Sequence, residues 1–286
     1  MKYTKLGNSN LNVSRVCMGC MGFGDAAHGQ HTWTLDETHS REIIKHGLEL
    51  GINFFDTAIA YQSVTSEQSL GRALNDFARR DDVVVATKFL PRTPEEIVAG
   101  VTGQQHIETM LNKSLENLGM DHVDLYIYHM WDHQTPIYDI LDGLDRMVKA
   151  GKTRYIGISN CFAWQLCKAN ALAEREGFAK FVSVQSHYNL IFREEEREMA
   201  PFCREENIAM TPYSILASLS SVCPVDDSPL RSQGTTPALE CHRVMAMFTS
   251  RHKRSIFRSP SRTIRLYSPR TETYIAQPPF SAIAFH

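Results

Sequence analysis

The chain has 286 residues, with 30 Lys plus Arg against 32 Asp plus Glu, and is 43% hydrophobic and 22% charged; that balance excludes disordered, fibrous and membrane-spanning classes. A formal charge of −2 gives no bulk attraction to nucleic acid or to an anionic membrane, so the expected partners are small molecules. The start, MKYTKLGNSN, lacks the apolar core of a signal peptide, and seven scattered Cys do not make a disulfide framework, so a cytoplasmic protein with reduced thiols is expected.

In chain order, turn signals at Gly7-Asn8 and Asn10 predict a short N-terminal hairpin. Short β-branched apolar runs then recur at Arg15–Met21, Ile52–Ala58, Val83–Phe89, Val123–His129, Tyr155–Asn160, Val182–Tyr188 and Ile208–Ser214. Between them, helical periodicity predicts helices near Asp36–Leu50, Glu67–Phe77, His106–Leu118, Ile137–Ala150, Ala163–Glu176 and Glu194–Glu206, with Gly51, Gly119, Gly151 and Gly177 placed as helix ends. Strand, helix and Gly recurring in this way are the pattern of repeated βα units on a parallel sheet.

Seven such units point to an α/β fold of the (β/α)8 barrel type, because open doubly wound sheets usually carry fewer parallel strands. The barrel reads as incomplete: no eighth strand or final helices are found. The expected domains are a βα barrel over residues 1–218 and a Ser-, Pro- and Arg-rich tail over 219–286. That tail holds nine basic residues, among them Arg251, Lys253, Arg254 and Arg258, against four acids. It shows no convincing apolar period, and a shifted reading frame is one source of so abrupt a change.

Catalytic side chains of βα barrels come from the C-terminal ends of strands. There the sequence places Asp56, then Tyr61 in the following loop, Lys88 and His129. Strand alternation puts Ile52, Phe54 and Asp56 on one face, Val84, Ala86 and Lys88 on one face, and Leu125, Ile127 and His129 on one face, so all three strands aim at the barrel mouth. Any one of these residues alone reads as a rim charge or a packed aromatic; the set of four suits carbonyl reduction. Tyr61 would donate the proton, with Lys88 lowering its pKa, Asp56 holding Lys88, and His129 polarising the carbonyl oxygen.

These residues resemble the aldo-keto reductases, NADPH-dependent barrel enzymes with an Asp, Tyr, Lys and His tetrad. Phe54-Phe55-Asp56-Thr57-Ala58 with Tyr61, Ser66-Glu67, Leu70-Gly71, Thr87-Lys88 and Tyr128-His129 carry the resemblance, which covers about residues 1–218. It implies NADP(H) as cofactor, with Ser159, Asn160 and Gln185 at the nicotinamide carboxamide and Tyr213 stacked on the ring. Ser214, Leu216 and Ser218 would lie along the pyrophosphate. Alternation independently places Ile156, Ile158 and Asn160 on one face and Ser183, Gln185 and His187 on another, bringing two amides to the mouth. Where the family has Gly, this chain has Val64, a strained choice if that position needs φ > 0.

Trp33, in the first long loop, and Trp131, just after His129, are candidates for substrate contact, with plain packing as the alternative. Cys17 and Cys20 have C-x-x-C spacing but fall on opposite strand faces, and no metal site is expected. Gly19, Gly22 and Gly24 do not make a dinucleotide fingerprint. Two other readings stay open: a non-catalytic nicotinamide-binding subunit like the channel-associated members of the family, and an inactive truncated reductase.

Overall fold

A β-hairpin of β1 (Tyr3–Lys5) and β2 (Asn12–Ser14) opens the chain. Its turn needs Gly7: φ is +56°, and a Cβ there would lie 2.5 Å from the Val182 carbonyl oxygen. The computed structural model describes residues 1–25, 27, 30, 34–190, 192–213 and 244–246, all within the unit Met1–His252.

Seven strands then run parallel in chain order: β3 (Val16–Gly19), β4 (Phe54–Asp56), β5 (Val84–Phe89), β6 (Val123–Tyr128), β7 (Thr153–Ser159), β8 (Phe181–Gln185) and β9 (Ala209–Met210). The helices between them are α1 (Glu37–Glu49), α2 (Thr65–Phe77), α3 (Pro94–Val98), α4 (Gly103–Leu118), α5 (Ile137–Lys149), α6 (Ala163–Glu176) and α7 (Met199–Glu205). The fold is α/β, with the parallel strands forming a curled part of a barrel. Among the described residues no helix is long and apolar enough to cross a membrane.

Three expectations change. The helix expected over Glu194–Glu206 is divided into a 3-10 turn at Glu194–Glu196 and α7, with Pro201 in the first turn of α7, where its missing N–H is tolerated. Helix α3 was not anticipated. It is short, but Thr93 and Glu96 form a capping box with Pro94 at its first turn. A strand also follows Ser218: β10 (Val244–Ala246) lies antiparallel along β3.

Two apolar layers flank the sheet. Leu6, Leu11, Val13, Cys17, Phe54, Val84, Ala86, Leu125, Ile127, Val182 and Ala209 form the inner cluster, so the hairpin residues close one end of the barrel. Ile44, Leu70, Leu111, Leu141, Leu144 and Leu166 of the helices pack with outward strand residues such as Phe55, Val85 and Tyr126 in the outer cluster. Strand alternation therefore holds on β4, β5 and β6, while Ile52, preceding β4, belongs to the outer cluster instead. Cys17 lies in the inner cluster and Cys20 in the outer one. Gly71 lets α2 meet the C-terminal end of α4, since a Cβ there would lie 2.2 Å from the Leu118 carbonyl oxygen.

Candidate active site

The mouth is built on Lys88, which is wholly buried near the end of β5. Its ammonium donates to Asp56 Oδ1 at 2.5 Å, to the Thr57 carbonyl oxygen at 2.8 Å and to the Tyr61 hydroxyl oxygen at 3.1 Å. All three N–H groups are thus committed, as burial of an ammonium demands. Burial alone would lower its pKa, but Asp56 and then Tyr61 outweigh that, and Lys88 is held well above its ordinary range. Asp56 is 2% exposed, and its other oxygen accepts from Gln185 Nε2 at 3.0 Å.

Tyr61 and His129 face each other edge to face, with ring centroids 5.8 Å apart. Lys88 Nζ also lies 4.7 Å from the Tyr61 ring centroid. The expected lowering of the Tyr61 pKa is not the net effect: burial raises it, Lys88 opposes, and the balance stays upward. The phenol therefore keeps its proton at neutral pH. Burial, then Lys88, depress His129 to about 3, so its imidazole is neutral. His129 Nδ1 is a buried polar atom without a hydrogen-bond partner.

The Tyr61 loop is pinned from several sides. Gln62, Ser63 and Val64 all have positive φ, at 49°, 52° and 71°, and Val64 is the residue before α2. A β-branched side chain in that region stores backbone strain. Opposing it, Ser66 Oγ donates to the Cys20 carbonyl oxygen at 2.7 Å, and lies 2.9 Å from Thr57 Oγ1. Buried Glu67 accepts from Thr87 Oγ1 at 2.5 Å and from Asn117 Nδ2 at 2.8 Å. The start of α2 is thereby tied to the ends of β3, β4 and β5.

On the opposite side of the mouth, alternation misplaces Asn160. Ile156 and Ile158 belong to the outer cluster, and strict alternation would send Asn160 outward with them. Its φ of 51° reverses the backbone instead. Asn160 Nδ2 then donates to the His129 carbonyl oxygen at 2.9 Å and to Ser159 Oγ at 3.0 Å, and its Oδ1 accepts from the Tyr213 hydroxyl at 2.8 Å. Ser159 Oγ donates to the Gln185 carbonyl oxygen at 2.9 Å. The Tyr213 ring stacks on His187, with centroids 5.3 Å apart and planes at 16°.

Trp131 packs against the outer cluster, its ring 6.4 Å from that of Trp164, which favours its packing role. Trp33, Ser214, Leu216 and Ser218 lie outside the described residues. The roles of Thr57, of Gln185 toward Asp56, and of His187 were not anticipated. His187 stands two residues after Gln185 on the alternation pattern, the one sequence signal that marks it. Among the described residues no group of three or more His, Cys, Asp or Glu is arranged to hold a metal.

A nicotinamide fits this donor set. Tyr213 is an aromatic ring backed on one side by His187, Gln185 spends its Nε2 on Asp56 and leaves Oε1 to accept from a carboxamide, and Ser159 and Asn160 stand beside it. The model for the Aldo/keto reductase family matches residues 15–241. Versiconal hemiacetal acetate reductase of Aspergillus parasiticus is 35% identical over 235 residues, covering 76% of this chain and 68% of that protein. Aldo-keto reductase dtxS3 of Metarhizium robertsii is 33% identical, with 76% and 64% covered. Aryl-alcohol dehydrogenase [NADP(+)] of Phanerodontia chrysosporium is 30% identical, with 73% and 56% covered. The chain thus spans between about half and two thirds of the length of these relatives. Among solved structures, a thermostable aldo-keto reductase, Tm1743, bound to the inhibitor epalrestat, is similar with a TM-score of 0.66 at 26% identity, covering 77% of this chain and 74% of that one.

Proposed function

Because the chain belongs to the aldo/keto reductase family, we propose that it reduces aldehydes or ketones to alcohols with NADP(H), Tyr61 acting as the proton donor. The family and the reductase names of its relatives support carbonyl reduction in general. The finer reading rests above all on the committed state of Lys88. Since the ammonium donates to the Tyr61 oxygen, the phenol accepts there, and its own hydrogen is left to point elsewhere. A carbonyl oxygen near Tyr61 and His129 would receive that hydrogen.

NADPH, when bound, supplies hydride to the carbonyl carbon. Tyr213, Asn160, Gln185 and Ser159 would hold the nicotinamide end. His129, kept neutral by burial and by Lys88, donates an N–H to the carbonyl oxygen and orients it without adding a competing positive charge. As negative charge builds on that oxygen, Tyr61 transfers its hydroxyl proton, and the adjacent Lys88 ammonium stabilises the phenolate left behind. Asp56 is the counter-charge that keeps Lys88 protonated while buried.

Apolar side chains just beyond the strand ends, Met21, Leu90 and Met130, are 39%, 39% and 45% exposed. Together with relatives named as aryl-alcohol dehydrogenases, they support an apolar or aromatic carbonyl as substrate. The test is turnover of NADPH with a simple aromatic aldehyde, followed by loss of the dihydronicotinamide absorbance. Aldehyde-dependent oxidation is expected; binding of NADPH without turnover across a panel of aldehydes would favour the non-catalytic nicotinamide-binding reading.

A further inference from the structure

The residues after β8 build a column of three rings. Tyr213, His187 and Phe192 lie in near-parallel succession: 5.3 Å and 16° between the first two, 4.5 Å and 16° between the second pair. The first contact is set by the backbone, because His187 and Tyr213 face each other across a parallel bridge and Tyr213 N–H donates to the Ser186 carbonyl oxygen at 3.0 Å. The second is set by Asn189. Its Oδ1 accepts from the Phe192 N–H at 2.8 Å, its own N–H donates to the Phe192 carbonyl oxygen at 3.0 Å, and its side-chain nitrogen lies 3.1 Å from His187 Nε2.

That arrangement also fixes the state of the imidazole. With Oδ1 turned to the Phe192 N–H, the Asn189 amide presents Nδ2 to His187, so Nε2 must accept and the ring carries its hydrogen on Nδ1. Burial lowers the His187 pKa in the same sense. A neutral, flat ring is thereby wedged between Phe192 and Tyr213. The Tyr213 hydroxyl donates to Asn160 Oδ1, which holds the far end of the Tyr213 ring.

We infer that His187 is a cofactor-positioning residue, which sets the plane of Tyr213 by stacking on its back face and so presents the front face to the nicotinamide. This rests on the NADP(H) reading above, and it concerns only the nicotinamide end of that ligand. Offset ring pairs in proteins contribute about 0.5–1.5 kcal/mol, roughly two- to tenfold in affinity.

Two variants separate the ring from the hydrogen bond. H187F keeps a flat ring but gives Asn189 no acceptor; H187Q keeps an acceptor but removes the ring. Kd would be measured by intrinsic fluorescence for NADPH and for 2′-phospho-ADP-ribose, which lacks the nicotinamide. The ring column predicts that H187F stays within about twofold of the native protein for both ligands. It predicts that H187Q weakens NADPH about two- to tenfold while leaving 2′-phospho-ADP-ribose unchanged. If H187Q binds NADPH normally, or H187F is the more damaged, or either variant weakens both ligands alike, the inference falls while the function stands. If the native protein binds neither ligand, the NADP(H) reading falls and takes the inference with it.

Discussion

The two sides of the barrel mouth are organised differently. On the side of β4, β5 and β6, Asp56, Tyr61 and Lys88 form a closed hydrogen-bonded set around a wholly buried ammonium, with every donor of Lys88 satisfied. On the side of β7, β8 and β9, Asn160 is exposed, and Tyr213 and His187 are half-buried, held by amide contacts and ring stacking. The first side is held by contacts among the protein's own buried groups. The second is polar and open, and its Asn160 contacts to His129 and Tyr213 are ones a ligand can rearrange. On the proposed function, chemistry and cofactor recognition divide between two halves of one rim, with Gln185 and Asn160 as the bridges between them.

Breaking the closed side should cost most. Lys88→Met leaves Asp56 buried without its cation, a change worth about 3–5 kcal/mol in stability, and thermal unfolding should show the largest loss of any variant here. If its melting temperature matches the native protein, the buried pair does not have the weight argued for it.

Acid should damage the same side next. His129 has a folded pKa of about 3 against an ordinary 6.5, so between those values the unfolded chain binds a proton that the folded one refuses. Stability then rises with pH through that window and is lost as pH falls from 6.5 toward 3, by at most about 1.4 kcal/mol per pH unit from this residue. The margin of the native protein over H129Q should shrink on going from pH 7 to pH 4. A constant margin would mean that His129 is not held neutral.

The open side should respond more mildly. Asn160→Ala removes hydrogen bonds to His129, Ser159 and Tyr213, each worth about 1 kcal/mol. The expected result is about a tenfold weaker Kd for NADPH with a fall in melting temperature smaller than that of Lys88→Met, read by fluorescence titration beside a thermal melt. The smallest effect belongs to the strained loop. Val64→Gly relieves a φ of 71° and offsets part of that gain through the greater freedom of unfolded glycine, so stability should rise by roughly 0.5–1 kcal/mol. A fall would show that Val64 packing outweighs the strain.

Much of this was legible from residue order alone. The seven parallel strands follow the β-branched runs closely, because burial on both faces makes such strands continuous apolar segments, and Phe54, Val84, Ala86, Leu125 and Ile127 do point inward together. Asp56, Tyr61, Lys88 and His129 meet because successive strand ends of a barrel converge. What was not legible depends on departures from regular backbone or on contacts distant along the chain. Asn160 reaches the mouth through one left-handed residue that alternation cannot foresee. Gln185 finds Asp56 across 129 positions, a pairing set by the curl of the sheet. The direction of the Tyr61 pKa turned on burial, which outweighs the neighbouring ammonium, and burial is a property of the folded mouth. Helix α3 carries a capping box at Thr93 and Glu96, but it has too few residues for an apolar period to show.

The most direct test of the account is kcat for reduction of an aromatic aldehyde by the native protein and by Tyr61→Phe, with NADPH affinity measured on the same samples. The variant keeps the ring facing His129 and loses the hydroxyl, both the proton and the oxygen that accepts from Lys88. A fall in kcat of about 10²–10⁴-fold at unchanged Kd for NADPH is predicted; equal turnover by the two proteins would contradict the assignment of Tyr61 as the proton donor.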